Sequence, residues 1–164
     1  MKHSTKHLVP MVWLGLVLLP FGAQAQSHSD ANDAVFPRGE RLESPHFTGA
    51  AWVYTLAPAD SAFDIPVAHV TFAPGARTDW HRHLGGQVLL ATGGTGYYQE
   101  QGKPLRILRK GDAVKCPPHV PHWHGAAPEA EFTQVAITPN TPEGRTLWMQ
   151  KVTDEEYHQP PQEK

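Results

Sequence analysis

The sequence predicts an all-β fold, a sandwich or barrel, in a chain built for export. Three observations point there. Short runs rich in β-branched and aromatic residues recur between Gly/Pro clusters. The 14 Gly and 16 Pro among 164 residues favour many tight turns over long helices. No stretch carries the apolar period of a long amphipathic helix. This length accommodates one domain.

The first 25 residues read as a signal peptide. Lys2 and Lys6 give a positive start, residues 11–19 form an apolar core broken by Pro20, and Ala23-Gln24-Ala25 is a small–x–small cleavage triplet. Nine apolar residues are too few for the ~20 that span a bilayer. Cleavage after Ala25 is expected, with a periplasmic or secreted product and no membrane span in the mature form. Removing 25 of 164 residues leaves 139, and losing Lys2 and Lys6 takes the net charge from −2 to −4. Such a balance offers nothing to a phosphate backbone, so no nucleic-acid partner is expected. The lone cysteine, Cys116, excludes an internal disulfide and a cysteine-based zinc site; a buried, inert thiol is the expectation.

Residues 26–46 form a lead-in, of which 27–34 are small and polar with no apolar period. The domain proper is expected over 47–157, with 158–164 as a tail. Its strands are expected at 51–56, 67–73, 87–92, 96–99, 105–108, 113–116 and 132–137. Ala73-Pro74-Gly75, Gly93-Gly94, Lys110-Gly111-Asp112 and Pro117-Pro118 mark the turns between them. Thr153-Asp154-Glu155-Glu156 has the spacing of a capping box, predicting one late helical turn.

Histidine carries the chemistry. Of the nine histidines in the mature chain, five fall in two clusters, His81-Arg82-His83 and His119-Val120-Pro121-His122-Trp123-His124. Residues two apart on a strand share a face, so His81 points with His83 and His122 with His124; Gln87 follows His83 in the same phase. An in-phase His-x-His with a second cluster near forty residues away suits a divalent ion held by imidazole nitrogens.

The same residues carry a resemblance. Gly75, five residues, His81-x-His83, three residues, Gln87, six residues and Gly94 resemble the first motif of the cupin superfamily, with Gln87 where glutamate is usual. Sixteen residues later, Gly111, five residues, Pro117 and then His122 resemble the second motif. His119 stands there in place of a glycine and Ala126 in place of an asparagine. Histidine is enriched at positive φ among non-glycine residues, so His119 is expected to form a turn. The stretches Val70-Thr71-Phe72-Ala73-Pro74-Gly75, His122-Trp123-His124-Gly125 and Trp148-Met149 further resemble a subgroup of small bacterial cupins. That subgroup includes carboxymuconolactone-decarboxylase-associated proteins and manganese-dependent (R)-selective hydroxynitrile lyases.

The resemblance implies a jelly-roll barrel with one divalent metal on His81, His83, Gln87 and His122. Manganese is the first expectation, with iron, zinc or nickel behind it, because an exported chain meets its metal outside cytoplasmic control. An amide in place of a carboxylate leaves the ion its full positive charge, which favours Lewis-acid chemistry over oxygen activation. The expected activity is lyase-type, on a small organic molecule and similar to hydroxynitrile lyase; a metal-dependent dioxygenase and a non-catalytic metal- or ligand-binding cupin are the alternatives. By strand alternation Ala68, Val70 and Phe72 should wall the cavity from one strand, with His69 and Thr71 outward, and Phe132, Gln134 and Ala136 from another. His124 is expected beside the ion as proton mediator. Gln134 can hydrogen-bond there but takes up no proton near neutral pH. Trp80 and Trp123 are out of phase with the ligands and should face away, packing under 47–56 or into the interface of a homodimer or larger homo-oligomer.

Overall fold

The computed structural model describes residues 35–161; the expected signal peptide and the polar stretch 27–34 lie outside the described residues. The elements are β1 (Glu40–Arg41), β2 (Phe47–Thr48), β3 (Ala51–Ala57), β4 (Val67–Phe72), β5 (Arg77–Thr78), β6 (His81–His83), β7 (Gln87–Glu100), β8 (Arg106–Arg109), β9 (Ala113–Cys116), β10 (His122–Ala126), β11 (Phe132–Ile137), β12 (Thr146–Trp148) and the helical turn α1 (Asp154–Tyr157). No helix among the described residues is long and apolar enough to cross a membrane.

The curled antiparallel sheet is organised by β7, whose two halves pair with different neighbours. Its first half lies between β11 and β9, its second between β10 and β8. On one side the order continues from β11 through β4 and β3 to β1; on the other it runs from β10 through β5 to β2, with β6 and β12 following off β10. Phe72, Leu89, Tyr98, Leu108 and Phe132 fill the space between the two halves, each almost fully buried.

Gly93-Gly94 therefore does not separate two strands, as the sequence suggested. Thr133 faces Gly93 while Gln134 faces Ala91, so Thr92 is bulged out and the strand bends without breaking. Gly94 has φ +70°, and a Cβ there would collide with the Glu131 carbonyl. These glycines permit a bend through which one strand serves both sheet halves.

The outer faces are covered by chain segments from both ends. His69 and Thr71 point away from the cavity, but both are buried rather than exposed. Segment 36–37 lies over His69, its Pro37 carbonyl 3.3 Å from Nδ1 and the Phe36 ring 5.4 Å from the imidazole. Trp80 and Trp123 also face away as expected. Their cover is Leu105, Val152 and Tyr157, however, and not 47–56. The reason is α1, capped by Thr153 in a full capping box and docked by three polar contacts. Tyr157 Oη donates to the Ala126 carbonyl at 2.8 Å, Arg77 donates to Asp154 at 2.7 Å, and Trp80 Nε1 donates to Glu156 at 3.2 Å. Two tryptophans thus find shelter within their own chain.

Candidate metal centre

Strand β6 runs antiparallel to β10 with His122 opposite His81. Alternation along β6 turns His81 and His83 to the same side, and the ligating nitrogens of all three histidines come within 4.8 Å of one another. All three side chains are at most 3% exposed. Each ring is held through Nδ1. His81 donates to the Asp79 carbonyl at 2.9 Å, His122 to the Val120 carbonyl at 3.0 Å, and His83 to the Arg145 carbonyl at 3.2 Å with Thr146 Oγ1 at 3.1 Å. A hydrogen on Nδ1 leaves the Nε2 lone pair free, the arrangement expected around a metal.

Buried polar atoms are almost always paired, yet Nε2 of both His83 and His122 is buried with no partner. A divalent ion bound at this spot would satisfy both. Burial lowers the basicity of every ring in the cluster: His81 and His122 below the ordinary imidazole value, and His83 down to about 4. For His81 and His83 the neighbouring imidazoles add to the effect. Neutral imidazole is the ligating form, so the site is set to accept a cation at neutral pH.

Gln87, the first residue of β7, lines the same cavity as His83. Its carboxamide nitrogen donates to Thr138 Oγ1 at 2.9 Å, which leaves the oxygen as the atom able to ligate. Behind it the Cys116 sulfur lies 3.9 Å from that oxygen. Burial pushes the Cys116 thiol up to about 12, so it stays protonated. His119, in the turn leading to β10, has φ +65° and donates its amide to the His83 carbonyl at 2.9 Å. The turn expected there ties the two histidine segments together.

Above the cluster lies a cavity of about 190 Å³, enough for one small aromatic ring, given that an apolar cavity of about 150 Å³ accepts benzene. Ala68, Val70, Phe72 and Ala136 form its apolar wall as alternation required, and His81, His83, Gln87 and His124 reach it. Phe132 and Gln134 do not line it, which corrects the expectation. Phe132 pairs with Phe72 across β11 and β4, and its ring stacks on that of Phe72 with centroids 6.5 Å apart. Gln134 is fully buried beneath His124, its carboxamide nitrogen 3.0 Å from His124 Nδ1. It meets the cavity only through that ring. Sequence reasoning missed Thr138, Arg145, Thr146 and Trp148, which also line the cavity. Strand β12 is three residues long and carries no periodic signal; its place comes from pairing with β6.

Residues 68–137 match the family described as Cupin domain. An (R)-mandelonitrile lyase from Granulicella tundricola is 41% identical over 111 residues, covering 68% of this chain and 85% of that protein. The chain belongs to the cupin family. A cupin-like protein from Thermotoga maritima shares 49% identity with this cupin, at a TM-score of 0.72 over 75% of this chain and 93% of that one. The DMSP lyase of Ruegeria pomeroyi, 20% identical, superposes at a TM-score of 0.52 over 60% of this chain and 51% of its own, which speaks for the fold alone.

Proposed function

We propose that this cupin is an exported, metal-dependent lyase that cleaves a carbon–carbon bond in a small organic molecule, with chemistry similar to that of a hydroxynitrile lyase. The observation that carries the reading is the pair of orphaned, buried Nε2 atoms on His83 and His122, beside His81, with His81 and His83 reaching an apolar-walled cavity. The 41% identity to an (R)-mandelonitrile lyase supports the choice of reaction. His81, His83 and His122, with the Gln87 oxygen, would hold a divalent ion, manganese foremost. When bound, the ion supplies positive charge to the oxygen and leaving group of the reacting molecule.

The protein's own groups account for the rest. Ala68, Val70, Phe72 and Ala136 exclude water from the organic portion of the substrate. In cyanohydrin cleavage the C–C bond breaks, its electron pair leaves with cyanide, and the hydroxyl proton ends on that cyanide. His124 is the group placed to move the proton, because its ring lines the cavity and burial holds it well below the ordinary imidazole value, hence neutral. Gln134 sets its tautomer. With the amide nitrogen toward Nδ1 the Nε2 atom is a donor, and the Gln134 oxygen is left without a partner; rotating the amide makes Nε2 an acceptor.

Export through a signal peptide cleaved after Ala25, and assembly into a homodimer or larger oligomer, belong to the same reading. The deciding experiment loads purified protein with manganese and follows benzaldehyde release from racemic mandelonitrile, with oxygen uptake recorded on an iron-loaded sample. Release well above that of a His81→Ala variant is expected. Equal, background-level release from both, or oxygen consumption in its place, would remove the lyase assignment.

A further inference from the structure

The charges around the cavity point to the class of molecule it takes. Among the residues lining it, Arg145 is the one arginine, and there is no Lys, Asp or Glu. Arg145 is exposed at the cavity, and no acidic side chain among the described residues pairs with it. Its position is fixed from behind, since its own carbonyl accepts the His83 Nδ1 hydrogen and the adjoining strand β12 pairs with β6. The guanidinium is near enough for its charge to be felt at His83. Three residues on, Trp148 also lines the cavity, its ring 5.0 Å from that of His81 and stacked on His46 at 4.5 Å and 4°. An unpaired guanidinium next to an aromatic plate and an apolar wall is suited to a planar carboxylate.

We propose that Arg145 is a substrate-recognition residue, binding the carboxylate of an aryl carboxylic acid whose ring enters the cavity between Trp148 and the Val70–Phe72 wall. The inference rests on this cavity being the reaction site, and it deepens the lyase reading by naming a substrate class. A neutral cyanohydrin would then be an accepted analogue lacking the group that Arg145 reads.

The test is calorimetric titration with phenylacetate and its neutral counterpart phenylacetamide, on manganese-loaded and on metal-free protein, so that no turnover is required. Phenylacetate is expected to bind about tenfold more tightly than the amide, the scale of one charge-assisted contact. Arg145→Gln should bring phenylacetate close to the amide while leaving the amide and the bound-metal stoichiometry unchanged; Arg145→Lys should retain part of the preference. Three results would overturn the inference: no preference in the native protein, a preference that survives intact in Arg145→Gln because the metal alone supplies it, or no binding of either compound in the millimolar range. An Arg145-dependent preference in a protein that fails to cleave mandelonitrile would uphold the inference and remove the lyase assignment, so the two stand or fall separately.

Discussion

Without a bound metal this barrel should be acid-labile, and His83 shows by how much. Burial holds its imidazole at about 4 in the folded state, against about 6.5 in an unfolded chain. The folded form thus binds fewer protons than the unfolded form between those values, so stability is fully present above pH 6.5 and lost as pH falls toward 4. Applied to this one group, the linkage relation gives a loss of about 2 kcal/mol between pH 7 and pH 5, and about 3 kcal/mol by pH 4. His81, His122 and His124 are lowered in the same sense, so the whole cluster acts in one direction. A domain with ~5–15 kcal/mol of total stability feels this strongly.

Urea unfolding of metal-free protein at pH 7, 5 and 4, compared with a His83→Gln variant, isolates the effect. The difference between native and variant should shift by about 2 kcal/mol from pH 7 to pH 5 in favour of the variant. Exposed carboxylates titrate alike in both proteins and cancel. Saturating manganese should restore native stability at pH 7, and less of it at pH 5, because protons compete for the same nitrogens. A native-minus-variant difference that stays flat from pH 7 to pH 4 would refute the placement of His83 as a buried neutral ring.

Two further outcomes test the frame around the site. Thr153→Ala removes one half of the box that caps α1, the Thr153 Oγ1 that accepts from Glu156 N at 3.1 Å, and leaves the backbone N–H of residue 153 that donates to Glu156 Oε2 at 2.8 Å; a loss of about 1 kcal/mol is expected, read as a fall of about 3 °C in melting temperature, with metal content unchanged. Gly94→Ala forces a side chain onto a left-handed backbone and into the Glu131 carbonyl. It should cost upwards of 2 kcal/mol, seen as a lower urea midpoint and reduced near-ultraviolet circular dichroism.

The histidine half of the candidate site was legible because it is local. His81 and His83 share a face by strand alternation alone, and no tertiary contact can reverse that phase once β6 forms. His119 at positive φ and the Thr153 capping box were also readable, each depending on a few neighbouring residues. The illegible parts depend on distant pairings. Gly93-Gly94 has the composition of a turn, and only the bulge against Thr133 and Gln134 shows that the strand bends there and continues unbroken into the other half of the sheet. Phe132 has the inward phase expected of a cavity residue, but phase says nothing about depth along the barrel, and Phe72 stands between it and the cavity. The covers over His69 and Trp123 come from other segments of the chain, Pro37 32 residues before His69 and Tyr157 well beyond Trp123, where periodicity carries no information.

The net charge of the site ties these features together. A glutamate at position 87 would bring a negative charge to the ion; Gln87 brings none, and its nitrogen is committed to Thr138. The three imidazoles are neutral, the cavity wall has no acid, and Arg145 adds one positive charge at the cavity. A divalent ion bound here would therefore receive no negative charge from its ligands, with the guanidinium at the cavity adding to its field and Glu100, felt at His122, partly offsetting it. Such a site stabilises anions: a departing cyanide, a developing alkoxide or a carboxylate. It also opposes the loss of a further electron from the metal, which oxygen activation requires. Lewis-acid chemistry and anion recognition would thus share one origin, the lack of acidic side chains among the residues lining the cavity.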